Sequence, residues 1–372
     1  MFGFLFLLAA GLNSLAWLPS WPALLTPPHA GLIFAARLAL GPVSAGCLGA
    51  ALGWAAEPFA ARRFLWSAAA GAALLPGLSR LAVPGLLSGD VLTLALALIA
   101  LSAGAMIRAW RDESGFGFIS GLAGGLAVWL APQTLPLALL IYPVLGLRWL
   151  ESRNGLVLMA TAAGLFDVLC LALLISTPPS GYATLALTRL SWVHVLLALL
   201  LLATSGILTW LQNRLRRGRG PLGLALLVLL PAGWFAVFPQ ALLLPLAGPR
   251  PSGNLAALLF PAACALAYAL WRAWRRPRPW ADTPSLLAPS LLGPPKHGRA
   301  LWLYLAVCAM LALVLTPRAA LCAAVGALGA AGLLPVALSA ASQVWGQRPS
   351  LAIMVRLGLL ALVLAVPAWL AA

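Results

Sequence analysis

The sequence predicts an all-α protein, a polytopic transmembrane helical bundle of about 13 spans (11–13) with no soluble domain. Three observations predict it. The 372 residues are 63% hydrophobic and 8% charged, with a mean hydropathy of +1.01, whereas soluble domains carry about 25% charged residues. Apolar runs recur at lengths near the roughly 20 residues that a helix needs to cross the hydrocarbon core. The basic residues gather in short clusters between those runs, which is the positive-inside pattern. A soluble globule, a secreted disulfide scaffold and a disordered chain are excluded.

Charges and Pro/Gly clusters cut the chain into candidate spans. Residues 2–17 have no charged leader segment and read as a retained first span, not a cleavable signal. Thr26-Pro27-Pro28 separates them from 30–56, which Glu57 and the Arg62/Arg63 pair close. Spans over 64–82 and 91–108 follow, with Asp90 in the connection between them. The short stretches 116–131 and 134–149 are either two spans or a re-entrant hairpin. Then come 155–176, 191–212, 222–244 and 254–272. The longest connection, about 273–299, is Pro-rich and holds Arg275, Arg276, Arg278, Lys296 and Arg299. Spans over 300–316, 319–345 and 351–370 follow it. The organisation expected is therefore a membrane region over 1–272, a cytoplasmic Pro/Arg-rich loop over 273–299, and C-terminal transmembrane helices over 300–372.

Charge sets the expected orientation. With a cytoplasmic N-terminus, 17 basic residues fall in inside connections and four, Arg80, Arg189, Arg250 and Arg318, fall outside, while Arg37 and Arg356 lie within spans. Of the 16 tryptophans, all but Trp234 fall near a span end or in a connection, as an interfacial aromatic belt does. Distributed this way, the net charge of +16 belongs to membrane topology and not to nucleic acid, which is excluded as a partner. The five cysteines stand singly in apolar segments without CxxC spacing, so neither zinc nor a disulfide framework is indicated.

The acidic inventory is the sharpest constraint on chemistry. Of seven carboxylates, Glu57, Asp112, Glu113, Glu151 and Asp282 lie in cytoplasmic connections, Asp167 lies within the seventh span, and Asp90 alone is on the outer face. Outer-face acid–base catalysis therefore falls to Asp90, to Asp167 from within the membrane, or to the outer histidines His29 and His194. Each has a structural alternative. Asp90 in Ser88-Gly89-Asp90-Val91 stands where a helix cap belongs. Asp167, an intramembrane ionisable residue, is a candidate to pair with Arg37 or Arg356, or to bond a neighbouring helix while protonated. His194 suits an amphipathic interfacial position. Arg80, Arg189 and Arg250 are candidates to bind an anionic lipid-linked substrate, because guanidinium holds phosphate bidentately at any working pH; the alternative is snorkelling to headgroups. Gln133, Tyr182, Gln240 and Asn254 lie at comparable depth and suit hydroxyl-rich groups such as sugars. A P-loop, a nucleophile elbow and metal-ligand spacing are all missing. No cofactor is expected, and a divalent cation is not indicated.

Several stretches carry a resemblance. Gly121 to Pro136 makes a tight outer turn between two short spans, Ser176-Thr177-Pro178-Pro179-Ser180 ends the next span, and Phe238-Pro239-Gln240 and Gly248-Pro249-Arg250-Pro251 follow. Over roughly residues 20–260 their order and spacing resemble the GT-C superfamily, polytopic membrane glycosyltransferases that take a sugar from a polyprenyl-phosphate donor. The chain departs from that pattern in three places. The first outer loop, about Leu18 to His29, has no Asp or Glu where the family carries acidic residues. Pro84 to Asp90 stands where relatives carry an Asp-His-His-Asn run, and Gln133 where they tend to have Glu.

The resemblance implies transfer of a sugar at the outer face of a bacterial cell inner membrane. Catalysis would fall to Asp90 or His29, and substrate binding to Arg80, Arg189, Arg250, Gln133 and Tyr182. The implied partners are membrane lipids, a polyprenyl-phosphate-linked sugar and other envelope-biosynthesis membrane proteins. Two other readings stand beside it. One is a catalytically degenerate subunit on a GT-C scaffold, which the sparse acids favour. The other is a transporter or lipid flippase that uses Asp167.

Overall fold

A chain this apolar has few side chains to satisfy its backbone amides, and in hydrocarbon they must be satisfied within the segment, which helices do. The structure is a computed structural model. It describes residues 2–15, 28–57, 60, 62–72, 91–109, 114–152, 155–176, 189–214, 225–226, 229, 232–240, 255–274, 298–316, 320–344 and 349–360. Among them every regular element is helical and no strand occurs, so the protein is all-α as expected. Among the described residues three helices are long and apolar enough to cross a membrane: Val91–Ala109, Leu156–Ser176 and Trp192–Leu211.

The first two helices, α1 (Phe2–Leu15) and α2 (Pro28–Ala56), lie antiparallel, with Gly49 against Ala9 and Gly53 against Leu5. A 3-10 turn, Arg62–Phe64, and helical residues 66–72 lead away from them. Helix α3 (Val91–Ala109) runs parallel to α2: Gly104 meets Trp54 and Ala55, and Arg108 meets Glu57. Helix α4 (Ser114–Leu130) returns antiparallel to α3. Midway along this pair Ser102 Oγ donates to the Ser120 carbonyl at 2.6 Å, and Ser120 Oγ donates to the Ser102 carbonyl at 2.8 Å.

A second 3-10 turn, Pro132–Thr134, leads into α5 (Leu135–Leu139) and α6 (Ile141–Ser152). The break at Leu140, whose N–H bonds the Leu137 carbonyl at 3.2 Å, falls between Pro136 and Pro143, neither of which has an N–H to continue a helical ladder. The remaining helices are α7 (Leu156–Ser176), α8 (Trp192–Arg214), α9 (Leu255–Trp274), α10 (Gly298–Leu315), α11 (Ala320–Val344) and α12 (Pro349–Leu360).

Helices α4 and α7 run parallel at close range. Gly117 faces Val157, Gly121 faces Thr161 and Gly125 faces Val168; a Cβ on Gly121 would overlap the Thr161 carbonyl oxygen, and one on Gly164 the Phe118 carbonyl oxygen. Small residues at four-residue spacing let two helix backbones approach, and van der Waals packing then holds them. The main apolar core lies beside this seam, with Leu135, Leu165, Leu169 and Leu197 at its centre. Trp234, the one tryptophan expected away from the interfaces, is buried in it and packs on Phe235 and Phe238 with ring centroids 5.1 and 5.2 Å away. A second core joins α2, α3 and α11 through Leu48, Leu96 and Leu328.

These directions give the bundle two ends. At one, α2 and α3 finish and α4 and α7 begin, with Glu57, Arg62, Arg63 and Arg108 together. At the other, α2 and α3 begin and α4 and α7 finish. Helix α8 packs beside α7 and, as the next membrane-length helix after a short connection, starts at that second end.

Candidate functional site

Of the sequence-predicted residues, Gln133, Arg189 and the backbone of His29 lie at the second end. The local fold there follows from Pro132. It stops α4 and holds Ala131, the residue before it, in an extended conformation with φ −146° and ψ 91°. The Thr134 amide then closes on the Ala131 carbonyl at 2.9 Å, and its hydroxyl donates to the same oxygen at 2.7 Å. Thr134 is buried under this turn, which leaves Gln133 exposed at its crest.

Across the same end, Arg189 is exposed, while the next two residues, Leu190 and Ser191, are buried. Leu190 is part of the main core, so the chain is anchored immediately after the guanidinium. Val91, the residue after Asp90, opens α3 here. His29 lies in the first turn of α2 at this end, and only its backbone is described. Asp90, Arg80, Arg250, Tyr182 and Asn254 lie outside the described residues, and Gln240 is exposed.

Two expectations change. His194 is not an interfacial histidine: it is fully buried. Its Nδ1 accepts the Ser191 backbone N–H at 3.3 Å and lies 3.3 Å from the Ser191 hydroxyl, while its own amide bonds the Ser191 carbonyl at 3.0 Å. This is the return arm of a capping box, with imidazole in the place that Glu or Gln normally takes. Nδ1 is therefore an acceptor committed to the helix start, which places the ring proton on Nε2 and leaves Nδ1 no role as an outer-face base. Asp167, the second case, is exposed on α7 along the face that carries Leu171 and Leu174. It does not pair with Arg356, whose guanidinium lies 5.3 Å over the Phe64 ring.

Sequence reasoning missed a cluster at the opposite end. Arg108 Nη2 donates to Glu57 Oε2 at 2.9 Å, Arg62 Nε lies 3.9 Å from Glu57 Oε1, and the Arg108 guanidinium stacks 3.8 Å over Trp54. Fifty-one positions separate Glu57 from Arg108, so only the fold brings them together. Among the described residues no group of His, Cys, Asp and Glu could hold a metal ion.

These observations define a helical membrane scaffold with an arginine- and amide-bearing end. Two solved structures share its fold. The first is the archaeal oligosaccharyltransferase AglB from Archaeoglobus fulgidus, in complex with an inhibitory peptide and a dolichol-phosphate. It matches with a TM-score of 0.63 and 16% identity over 92% of this chain and 46% of that one. The second, the Archaeoglobus fulgidus oligosaccharyltransferase in complex with Zn and sulfate, matches with a TM-score of 0.57 and 16% identity over 89% of this chain and 40% of that one. This chain thus spans less than half the length of either. At this identity the likeness is one of fold: the chain shares the helical fold of these two oligosaccharyltransferases over most of its own length. It also reaches further than the sequence motifs. A match over 92% of the chain extends past residue 260 into the C-terminal helices. No family model matches the sequence, and no curated protein matches it.

Proposed function

We propose that the protein is an integral membrane glycosyltransferase that moves a sugar from a polyprenyl-phosphate donor to an acceptor at the outer face of a bacterial inner membrane, with its N-terminus cytoplasmic. The observation that carries this reading is the fold shared with AglB, with Gln133, Arg189 and the residue after Asp90 at one end of the bundle. The dolichol-phosphate bound to AglB, itself a polyprenyl phosphate, supports that donor class.

In the proposed reaction the acceptor hydroxyl attacks the sugar C1. Its proton passes to Asp90, or to His29 in the alternative assignment, and the C1–O bond to phosphate breaks with its electron pair leaving on the lipid phosphate. General base help of this kind is worth roughly 10²–10⁴-fold. Arg80, Arg189 and Arg250 hold the donor phosphate and stabilise the charge that grows on it as it departs. Gln133 and Tyr182 bind sugar hydroxyls. No step is assigned to a metal ion.

A second reading, a degenerate GT-C subunit that supports another envelope enzyme, is favoured by one specific feature: Leu18 to His29 contains no carboxylate. Transport coupled to Asp167 has less support, because that residue faces outward from α7. The test is mass spectrometry of envelope lipids and glycans from a deletion strain carrying wild type or Asp90→Asn. The expected result is loss of one sugar, restored by wild type and not by the variant. An unchanged glycan profile on deletion overturns the transferase reading, and rescue by both proteins overturns the role of Asp90.

A further inference from the structure

We propose that Arg62, Arg63 and Arg356 form a binding site for the phosphate headgroup of an anionic phospholipid, at the end of the bundle opposite Gln133 and Arg189. Phe64 is the centre of the site. It is buried against Leu334 and Leu338 of α11, and two guanidiniums share its ring, Arg63 at 4.9 Å and Arg356 at 5.3 Å from the centroid. Two like charges are thus held within about 10 Å of each other. Arg62, beside them on the same 3-10 turn, adds a third.

The charges nearby do not balance. Glu57 is the one carboxylate among the described residues of this cluster, and its short contact goes to Arg108 at 2.9 Å, with Arg62 at 3.9 Å. Neither Arg63 nor Arg356 has an ion pair among the described residues. Arg356 Nε is moreover buried without a hydrogen-bond partner, a condition that costs free energy unless an acceptor reaches it. A phosphodiester supplies that acceptor and a compensating charge, in the geometry guanidinium binds best.

The position of the site selects a lipid over a soluble anion. Arg108 is in the last turn of α3, a helix of membrane length, so Glu57 and the adjoining turn lie at the bilayer boundary. Trp66 is exposed one turn further on, as interfacial aromatics are. Around Arg356, Ile353, Met354 and Leu357 are exposed apolar side chains, a surface suited to acyl chains below a headgroup. Basic pockets between membrane helices hold anionic headgroups in this way.

The test is native mass spectrometry of the full chain in zwitterionic detergent, titrated with phosphatidylglycerol or phosphatidylcholine. Wild type is expected to retain phosphatidylglycerol over phosphatidylcholine. Arg63→Gln/Arg356→Gln is expected to need at least about tenfold more phosphatidylglycerol for equal occupancy, which is the loss of about one charge-assisted contact. Arg216→Gln/Arg217→Gln, which removes the same charge from the connection after α8, is expected to bind as wild type. If the first variant is not recovered folded, Arg62→Gln/Arg63→Gln, on two exposed residues, serves in its place with the same expectation. Retention equal to wild type in the folded variant, equal binding of phosphatidylcholine, or displacement by excess inorganic phosphate would each overturn the proposal; the last would make the ligand a soluble anion.

Discussion

Arg108 donates from Nη2 to Glu57 Oε2 at 2.9 Å, so the last turn of α3 is tied to the C-terminus of α2. The same guanidinium lies 3.8 Å over Trp54 and donates from Nη1 to the Gly104 carbonyl at 3.2 Å. Side-chain exposures of 14% for Arg108 and 26% for Glu57 place the pair between a surface salt bridge, worth roughly 0–1 kcal/mol, and a fully buried one. A double-mutant cycle with Glu57→Gln and Arg108→Gln, followed by thermal unfolding in detergent, is expected to give a coupling of about 1–3 kcal/mol. Arg108→Lys is expected to destabilise as well, because an ammonium does not reproduce the planar stack or the second hydrogen bond. A coupling of a few tenths of a kcal/mol would reduce the pair to an ordinary surface contact.

Gly121 sets the distance between α4 and α7. A Cβ there would meet the backbone of Thr161 and Leu165, which cannot yield as a flexible side chain would. Gly121→Leu is therefore expected to separate the two helices and lower stability by at least about 1–3 kcal/mol. Gly115→Leu is the matched control, since a Cβ at Gly115 meets nothing within 4 Å. Equal melting temperatures for the two variants would show that the seam is not close-packed.

Ser102 and Ser120 answer each other across α3 and α4, with each hydroxyl on the other residue's carbonyl and the two oxygens 3.2 Å apart. Hydrogen bonds between membrane helices are worth about 0.6 kcal/mol on average. Ser102→Ala and Ser120→Ala are each expected to cost about that much, and the double variant close to the sum, because each hydroxyl bonds a backbone carbonyl that the other substitution leaves in place. A double variant that costs little more than either single one in thermal unfolding would mean that the 3.2 Å contact between the two hydroxyls carries the stabilisation.

What the sequence made legible was decided by range. Helix α7 was expected over 155–176 and is Leu156–Ser176, and α8 was expected over 191–212 and is Trp192–Arg214, because span length and flanking charge are local signals. The break at Leu140 had its signal in Pro136 and Pro143. Gly121 to Pro136 was expected as a tight outer turn, whereas the helix continues to Leu130 and the turn is confined to Ala131–Thr134; the packing partner of Gly121 was not legible, since nothing near it in the chain points to Thr161. The Glu57–Arg108 pair was hidden for the same reason. His194 was missed on chemistry: Ser-x-x-His does not carry the Glu or Gln that marks a capping box, although imidazole nitrogen accepts the same amide.

His194 lends itself to a test that separates scaffolding from catalysis. If its task is to cap α8, His194→Gln keeps an acceptor at the same position and is expected to keep both the fold and any transferase activity. His194→Ala is expected to cost about 1 kcal/mol at the helix start, read as roughly fivefold faster hydrogen exchange in a peptide covering Arg189 to Leu196. Normal protection with lost activity in His194→Gln would give the residue a chemical role instead.

Arg189 and Gln133 are exposed at the same end of the bundle, yet the proposed reaction asks different things of them, and steady-state kinetics can separate the two. A guanidinium that holds the donor phosphate before transfer, and meets the charge that grows on it during transfer, contributes mainly to binding the donor and further to the transition state. Its removal in Arg189→Ala is then expected to raise KM for the lipid-linked donor by about tenfold or more, consistent with a charge-assisted contact, with a smaller change in kcat. Arg189→Lys keeps the charge without the bidentate fork and is expected to fall between the two. Gln133→Ala is expected to weaken discrimination between sugars while sparing the affinity for the lipid phosphate alone. Asp90→Asn is expected to act almost wholly on kcat, by roughly 10²–10⁴-fold, as loss of a general base does. The ordering matters more than any single value. If Arg189→Ala lowered kcat as severely as Asp90→Asn while leaving KM unchanged, the arginine would be acting on the leaving phosphate in the transition state only. A full set of variants with unaltered kinetics would move the chemistry away from this end of the bundle.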